Sequence, residues 1–336
     1  MRVVVALGGN AILARGARGT AEEQRDAIRS ACIGLVDLVD AGHDLVLTHG
    51  NGPQVGRLLL AQRAARDVVE PLPLDVLGAQ TQGALGYLLQ QQLGNVLRAR
   101  GIDRSVVSVV TQVIADPQDP AFGDPDKPVG PHYTETELDF LAHKAGQDPD
   151  AAEDAGGDRE IEGARYRRVE GGTWRRVVAS PQPIDIVEVP AVRALLERRV
   201  LPVCCGGGGA PVAPVGRGRD LVGLEAVVDK DRTAALLTRL LGADVLLILT
   251  DVERVILDYG KPTARPLDRM TPEEARKHLA DGQFPPGSMG PKVESAERFA
   301  SGGGRASIIT DAASLLAAIR GEDGTWIQAQ PEAALL

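Results

Sequence analysis

Three glycine-rich stretches follow apolar runs in this sequence, and each could present backbone N–H groups to an anion. A glycine lets the main chain approach a ligand closely, and grouped N–H groups favour negative charge. Taken singly, each stretch could equally be an ordinary turn between buried elements. Together with isolated lysines they indicate a phosphorylated substrate. The stretches are Gly8-Gly9-Asn10, Gly50-Asn51-Gly52 and Gly206-Gly207-Gly208-Gly209.

Lysine is scarce in the chain, because the 37 basic residues include only six lysines. Arginine supplies the generic surface charge, so each lysine becomes a candidate for a role that needs a compact, mobile ammonium group. Genome composition could produce the same bias without any function. Lys144 and Lys277 lie within helical patterns, and we expect them to be surface charge. The four others are Lys127, Lys230, Lys261 and Lys292.

Lys230 is the strongest single candidate, because it lies between Asp229 and Asp231 where a strand is expected to pass into a helix. A neighbouring carboxylate can hold the ammonium group in place and keep it protonated. The alternative is that the two aspartates only cap the helix. Likewise, Lys127 could be a solvated turn residue, and Lys292 could lie on an exposed first helical turn.

Two familiar nucleotide-binding fingerprints are missing. The sequence has no Gly-x-x-x-x-Gly-Lys-Ser/Thr motif, and Gly8-Gly9-Asn10 does not continue as Gly-x-Gly-x-x-Gly, which disfavours a nicotinamide enzyme. Phosphoryl transfer by positioning and charge neutralisation remains, and it needs no protein nucleophile. The histidines show no metal-ligand spacing, and only His49 lies near the expected site.

The elements that would position these residues alternate as strand, loop and helix along most of the chain. Aromatic residues make up only 3%, so Val, Leu, Ile and Ala must form the core. We therefore predict a three-layer αβα sandwich with a mostly parallel open sheet. Ligands bind beyond the carboxyl ends of such strands, where the glycine loops would lie. Helix starts are marked by three capping boxes, at Thr20/Glu23, Thr134/Glu137 and Thr271/Glu274.

Residues 116–182 interrupt this alternation. Five prolines, from Pro117 to Pro131, predict a stretch without regular structure, and an acidic, glycine-rich excursion follows at about residues 146–172. We interpret 116–182 as a protruding insertion suited to act as a lid.

The whole chain is then one domain, with an N-terminal lobe over residues 1–205 and a C-terminal lobe over residues 206–336. We also expect strands at 105–111 and 221–228 and a helix from Asp311.

Bulk properties exclude several classes. A net charge of −9 argues against a nucleic-acid surface. No apolar run approaches the roughly 20 residues of a membrane span, and no signal-peptide pattern opens the chain, so we expect a cytoplasmic protein. Cys32, Cys204 and Cys205 show no metal spacing and should be reduced and buried.

The motifs together are more specific than any one of them. In this order they resemble the carbamate kinase family, one of the families with the amino-acid kinase fold, and the resemblance spans nearly the whole chain. They occupy residues 6–12, 49–56, 127–131, 205–209, 225–231, 259–262 and 287–292.

The resemblance implies a reversible reaction in which ADP and carbamoyl phosphate give ATP and carbamate. It also implies Mg²⁺ on the nucleotide, without a metal site of the protein's own, and a homodimer. The transferring phosphoryl group would be held by Gly8, Gly9 and Asn10. The same group and the carbamate would be faced by Gly50, Asn51 and Gly52. Lys127 would reach the carbamoyl phosphate, Lys230 and Lys292 would neutralise charge on the nucleotide side, and Asp231 would orient the lysines. The nucleotide would be framed by Gly207, Gly208, Thr250, Asp251, Val252, Tyr259, Lys261 and Met289.

Two features depart from the family pattern. An added stretch rich in Gly, Arg and Glu, residues 157–172, separates the family-like motif at 153–156 from the next at 174–178. It falls in the expected lid, so it affects lid motion more than the chemistry. Residues 251–254 also differ from the pattern expected near the adenine, which leaves nucleotide preference open.

Two other functions stay open. The chain could be a related kinase that phosphorylates another small acceptor, since one fold can serve several acceptors. The short Gly50-Asn51-Gly52 loop favours a very small one. It could also be a nucleotide-binding sensor without catalysis, although the joint presence of Lys127, Lys230, Asp231 and Lys292 speaks against this.

Overall fold

A computed structural model describes residues 1–13, 16–148, 157–169, 171–216, 220–285 and 287–329. The motif at 153–156 and Glu170 of the added stretch lie outside the described residues. The strands, in chain order, are β1 (Arg2–Leu7), β2 (Asp44–His49), β3 (Val106–Ser108), β4 (Gln112–Ala115), β5 (Lys127–Tyr133), β6 (Arg159–Ile161), β7 (Ala164–Arg168), β8 (Trp174–Val178), β9 (Pro183–Ile186), β10 (Leu201–Val203), β11 (Ala210–Val215), β12 (Asp220–Gly223), β13 (Val245–Leu249), β14 (Val255–Leu257), β15 (Arg265–Leu267), β16 (Arg269–Met270), β17 (Ala306–Thr310) and β18 (Thr325–Ile327).

Helices connect most of these strands. Three of them begin at the predicted capping boxes, where the threonine side chain accepts from the N3 backbone and the N3 glutamate accepts in return. The helices are α1 (Ala21–Asp40), α2 (Gly52–Ala65), α3 (Leu74–Ala99), α4 (Glu135–Lys144), α5 (Val189–Glu197), α6 (Lys230–Leu241), α7 (Pro272–Ala280), α8 (Met289–Ser301) and α9 (Leu315–Ile319).

The main sheet has eight strands in the order β16-β18-β17-β13-β1-β2-β10-β3. Every neighbouring pair is parallel except β17 and β18. The predicted mostly parallel open sheet is therefore confirmed. β1 lies between β13 and β2, so its apolar run is covered on both edges and both faces.

Alternation along β1 divides the core into two layers. Val3, Val5 and Leu7 belong to one apolar cluster, which they share with residues of α1, α3 and α9. Val4 and Ala6 belong to another, with residues of α5, α6 and α8. Successive side chains of a strand point to opposite faces, so helices must cover both sides of the sheet. This is the predicted three-layer αβα sandwich.

Residues 116–182 have a sheet of their own, with the strand order β5-β8-β7-β6. A separate small core lies between this sheet and α4, and it includes Leu138, Tyr166 and Trp174. The segment leaves the body of the protein after β4 and returns at β9, which pair with each other in antiparallel fashion. We call residues 116–182 the inserted segment.

The expectation that the proline-rich stretch has no regular structure is wrong for residues 127–133. Pro128 and Pro131 both lie within β5. Proline has no backbone N–H to donate, and an edge strand tolerates it because one side of that strand has no neighbour that needs a donor. β5 is such an edge strand, and its pairing with β8 is irregular between Val129 and Tyr133.

The hairpin formed by β6 and β7 was not predicted within the acidic, glycine-rich excursion. Its two central turn residues, Glu162 and Gly163, have φ of 52° and 73°. A turn with two positive φ angles is the usual two-residue hairpin connection, but it is normally marked by Asn-Gly or Asp-Gly. Because glutamate occupies the first position, the sequence lacks this signal and the turn was not predicted.

Three predicted boundaries also need correction. The strand expected over 105–111 ends at Ser108, because the chain passes between sheets at 109–111 before β4 begins. Of the strand expected over 221–228, only the start forms, as β12. Asp311 does not begin a helix; its carboxylate accepts from the backbone of Ala313 and Ser314, and α9 follows at Leu315.

Cys32, Cys204 and Cys205 are free and buried, as predicted. Lys144 and Lys277 are exposed, also as predicted. None of the helices within the described ranges is long and apolar enough to cross a membrane.

Candidate active site

A cleft of about 1020 Å³ lies at the carboxyl ends of the central strands. Gly8 follows β1, Gly50 follows β2 and Thr250 follows β13, and all three line it. The backbone N–H of Gly50 donates to the carbonyl of Leu7 at 3.1 Å, which holds the first two glycine loops side by side. Since α2, α6 and α8 also begin at this edge, their N-terminal turns add a potential that favours anions.

The two glycines of the first loop serve different purposes. A Cβ on Gly8 would lie 2.5 Å from the carbonyl oxygen of Leu249, so the loop passes too close to β13 for any side chain. A Cβ on Gly9 would meet nothing within 4 Å, because Gly9 faces open space. Gly8 therefore serves the packing of the loop, and Gly9 leaves room in the cleft. Asn10 lies in the short 3₁₀ turn Gly9–Ala11.

The second and third glycine loops interlock. The side-chain amide of Asn51 donates to Oγ1 of Thr81 at 2.8 Å, so this donor is used within the protein. Gly207 lies against the same amide, with φ of +66° and with only 2.2 Å between its ideal Cβ position and Nδ2 of Asn51. Gly50, Asn51, Gly52 and Gly207 all line the cleft.

One buried carboxylate holds two lysines. Oδ1 of Asp231 accepts from Nζ of Lys230 at 2.5 Å, and Oδ2 accepts from Nζ of Lys292 at 3.0 Å. The side chains of Lys230 and Lys292 are only 15% and 13% exposed, which excludes a surface role for Lys292. The sequence separation of Asp231 and Lys292 is 61 residues, but the first turns of α6 and α8 bring them together.

Burial and charge shift the pKa values of this group. Burial lowers the pKa of Lys230 to about 8, against the opposing charge of Asp231 and together with the repulsion of Lys292. Burial acts on Lys292 in the same direction, but the charge and hydrogen bond of Asp231 outweigh it and raise that pKa. Burial alone would raise the pKa of Asp231, yet the two ammonium groups bring it below its ordinary value. Asp231 is therefore ionised at neutral pH.

A second carboxylate connects the inserted segment to the body of the protein. Nζ of Lys127, on the first residue of β5, donates to Oδ2 of Asp229 at 2.5 Å. The other oxygen of Asp229 accepts from the backbone N–H groups of Asp231 and Arg232. Asp229 thus caps α6, as the alternative interpretation held, and also binds a lysine. Asp231 does not cap the helix.

Most of the predicted nucleotide residues line the cleft, namely Gly207, Thr250, Asp251, Val252, Tyr259 and Met289. Gly208 and Lys261 do not. Gly208 packs beneath the loop, where a Cβ would lie 2.1 Å from the carbonyl oxygen of Val228. Lys261 is 65% exposed, and its ammonium group donates to Asp258 at 2.9 Å.

His49 lies behind the cleft and does not line it. Its ring is buried, Nδ1 lies 2.9 Å from the carbonyl oxygen of Gly50, and a Cβ on Gly206 would clash with it. Burial lowers the pKa of His49 to about 4, so the ring is neutral at pH 7 and Nδ1 carries the proton that the carbonyl accepts. It supports the loops and carries no charge into the site.

Several residues that line the cleft were not singled out from the sequence, among them Arg175, Ser180 and Arg232. Arginine is the chain's ordinary surface cation, so residue type distinguished neither arginine, although Arg175 lies in the family-like motif at 174–178. The described residues contain no group of three or more His, Cys, Asp or Glu side chains that could hold a metal ion. Phosphoryl transfer is the chemistry that clustered lysines and glycine loops around an open cleft can support.

Comparisons with known proteins agree with this geometry. The model of the amino acid kinase family matches residues 1–311. The chain is 42% identical to carbamate kinases of Thermococcus kodakarensis and Trichomonas vaginalis; each alignment covers 97% of this chain, with 98% and 99% of the respective relative. The solved structure of carbamate kinase from Giardia lamblia bound to AMP-PNP is 38% identical, with a TM-score of 0.85 over 97% of this chain and 98% of that one. The chain therefore belongs to the carbamate kinases of the amino acid kinase family, and it is a kinase that transfers a phosphoryl group.

Proposed function

We propose that this chain catalyses the reversible transfer of a phosphoryl group between carbamoyl phosphate and ADP, giving carbamate and ATP. In this direction the bond between phosphorus and the carbamate oxygen breaks, and a β-phosphate oxygen of ADP forms the new bond to phosphorus. The observation that carries the proposal is the convergence of Lys127, Lys230 and Lys292 on two aspartates at the rim of one glycine-lined cleft.

The two substrates bind on opposite sides of the cleft. Gly8, Gly9 and Asn10 offer backbone N–H groups to the transferring phosphoryl group. Gly50, Asn51 and Gly52 lie on the acceptor side, and Lys127 reaches the carbamoyl phosphate from the inserted segment. On the opposite side, the nucleotide lies against the surface formed by Gly207, Thr250, Asp251, Val252, Tyr259 and Met289. The predicted nucleotide contacts of Gly208 and Lys261 would need a rearrangement, since neither residue lines the cleft.

Charge neutralisation is the main contribution of the protein. Lys230 and Lys292 offset the negative charge of the phosphoryl group as it moves from carbamoyl phosphate to the β-phosphate of ADP. Asp231 keeps both ammonium groups in place. A buried cation acts strongly there because water screens it little. No side chain is needed as a nucleophile, so no phosphoryl-enzyme forms.

Mg²⁺ enters this proposal with the nucleotide, as part of the substrate. Protein sites for Mg²⁺ commonly use one or two carboxylates and leave the remaining positions to water and substrate phosphates. Four carboxylates line the described cleft: Asp229 and Asp231, which bind lysines, and Asp126 and Asp251. This composition suits an ion held chiefly by phosphate oxygens.

The proposal also includes a homodimer. Exposed large apolar side chains surround the connection between α2 and α3, and they include Val68 at 88% and Val69 at 59% exposure. Such side chains are suited to an interface between subunits. Light scattering on the purified chain tests this part, with a mass of about twice 35.4 kDa expected and the monomer mass contradicting it.

The acceptor is tested in the ATP-consuming direction. Purified protein is supplied with MgATP and ammonium bicarbonate, which generates carbamate, and in parallel with acetate, aspartate or N-acetylglutamate. ADP release is followed by a coupled assay. We expect turnover with carbamate at a kcat/KM at least about 100-fold above that with the other carboxylates. A preference for another acceptor contradicts the proposal, and nucleotide binding without any turnover would favour the catalytically silent alternative.

A further inference from the structure

Arg175 differs from the other cations of the described cleft, because no carboxylate within the described ranges pairs with it. It lies on β8 of the inserted segment, and its Nη2 donates to the backbone carbonyl of Gly130 at 2.9 Å. Its Nε is buried and has no hydrogen-bond partner in the part of the chain that the structure describes. No aspartate or glutamate of the described residues pairs with it, and burial lowers the pKa of its guanidinium group.

The other basic side chains along the described cleft are all paired. Lys127 binds Asp229, Lys230 and Lys292 bind Asp231, and Arg232 binds Glu294, at 2.5 to 3.2 Å. Leaving a partly buried cation without an anion is unfavourable. A partner supplied by the ligand would remove this cost, and Arg175 lines the space that a ligand would occupy.

The position of Arg175 favours the acceptor side of the cleft. β8 pairs with β5, and Val178 of β8 lies opposite Lys127. Arg175 is placed by its contact with the same strand β5, since its Nη2 donates to the carbonyl of Gly130. Gly130 in turn packs against α2, since a Cβ on Gly56 would lie 2.9 Å from its Cα, and α2 begins at Gly52 of the second glycine loop. The nucleotide-side residues come from later parts of the chain, such as Tyr259 and Met289.

We propose that Arg175 binds the planar carbamoyl end of carbamate or carbamoyl phosphate, while Lys127 binds the phosphoryl end. A guanidinium group presents parallel N–H donors that match two acceptors in one plane, and an ammonium group does not. The carbonyl of Gly130 fixes the orientation of the fork by occupying Nη2. Arg175 is then a positioning and specificity residue. This inference rests on the proposed function and deepens it by assigning a residue to the acceptor.

The test separates the two substrates. Arg175→Gln removes the charge, Arg175→Lys keeps the charge but removes the fork, and Arg176→Gln is the matched control. Arg176 is the next residue on β8, pairs with Glu225 at 3.0 Å and is not among the residues that line the cleft. The KM values for ADP and for carbamoyl phosphate are measured for each, together with the rise in Tm that carbamoyl phosphate alone produces.

We expect Arg175→Gln to raise the KM for carbamoyl phosphate about 10- to 100-fold and to leave the KM for ADP within about twofold, as loss of one charged hydrogen-bonding group does. Arg175→Lys should lie between this variant and the wild type, and Arg176→Gln should match the wild type. At one fixed concentration, carbamoyl phosphate should raise the Tm of the wild type clearly more than that of Arg175→Gln.

Failure of this inference is distinguishable from failure of the proposed function. If the wild type forms ATP and both Arg175 variants keep its KM for carbamoyl phosphate, the inference is overturned and the function stands. If the wild type neither forms ATP nor gains Tm with carbamoyl phosphate, both are overturned. If Arg175→Gln does not fold, Arg175→Lys decides, since it keeps the cation and a donor for the carbonyl of Gly130.

Discussion

The ammonium nitrogen of Lys127 lies 2.5 Å from Oδ2 of Asp229, which joins the first residue of β5 to the residue that caps α6. The inserted segment is therefore attached to the body of the protein at the cleft itself. A substrate phosphate that attracts Lys127 must compete with Asp229. With the role proposed for Lys127, the pair would connect the position of the segment to occupation of the site.

Asp229→Asn tests this connection without removing the helix cap, because asparagine caps helices as well as aspartate does. The neutral amide binds Lys127 more weakly, by about 1 kcal/mol for a partly exposed pair, which corresponds to roughly fivefold faster opening. Amide hydrogen exchange in β5 and β8 should accelerate by this factor, with α6 unchanged. Asp258→Asn is the matched control, since Asp258 pairs with the exposed Lys261 away from the cleft lining. Unchanged exchange in β5 would show that the pair does not hold the segment.

Asp231→Asn should be among the most destabilising isosteric changes in the chain. It leaves Lys230 and Lys292 buried without their shared carboxylate, and removing one partner of a buried ion pair costs about 3–5 kcal/mol. Urea denaturation measures the loss. Adding Lys292→Met to Asp231→Asn should recover part of the stability, because one unpaired cation is removed. A loss below about 1 kcal/mol in the single variant would contradict the assigned role of Asp231.

Activity and stability should respond to alkaline pH in opposite directions. Because the pKa of Lys230 is about 8 in the folded protein, against an ordinary 10.5, kcat/KM should fall as pH rises above about 8 and the ammonium group is lost. Between these two values the unfolded chain binds more protons at this residue than the folded one. The contribution of Lys230 to the free energy of unfolding therefore increases with pH through that window.

Profiles of kcat/KM and of Tm from pH 6.5 to 10 check both directions. Lys230→Arg keeps the charge at alkaline pH and should lose the fall in kcat/KM, although its absolute rate is lower. Lys277→Met, at an exposed lysine of α7, should leave the profile unchanged. A wild-type kcat/KM that stays level to pH 10 would show that the charge of Lys230 is not needed.

Gly8→Ala and Gly9→Ala should separate packing from binding in one loop. Gly8→Ala places a methyl group 2.5 Å from the carbonyl oxygen of Leu249, so we expect a loss of about 1–3 kcal/mol in denaturation. Gly9→Ala meets nothing within 4 Å and should leave stability within about 0.5 kcal/mol. It should nevertheless lower kcat/KM by about tenfold or more, because the methyl group stands where the phosphoryl group passes. Full activity of a stable Gly9→Ala variant would place the phosphoryl group elsewhere.

Much of the scaffold was predictable because its signals are local. Apolar runs such as residues 3–7, capping boxes such as Thr20/Glu23, and glycines after strands each report a single element. The alternation of these elements was enough to predict the parallel sheet and its covered faces. The scarcity of lysine pointed to Lys127, Lys230 and Lys292, which the fold does bring to one cleft.

The remaining features depend on contacts distant in sequence. That Pro128 and Pro131 can lie in a strand depends on β5 being an edge, which the residues of β5 do not reveal. Lys261 has the same scarcity as the other lysines, but its neighbour Asp258 holds it at the surface. Arg175 is of the same type as the many surface arginines, and its proposed role rests on the lack of an ion-pair partner for it among the described residues.

The central claim is that the lysines of this cleft stabilise the direct transfer of a phosphoryl group from carbamoyl phosphate to ADP. The most direct measurement is the initial rate of ATP formation from ADP, Mg²⁺ and carbamoyl phosphate, for the wild type and for Lys230→Met of equal circular dichroism. We expect ready turnover by the wild type and a rate about 100- to 1000-fold lower for Lys230→Met, as for loss of a main charge-stabilising group. No ATP from the folded wild type, or equal rates for the two proteins, would contradict the account.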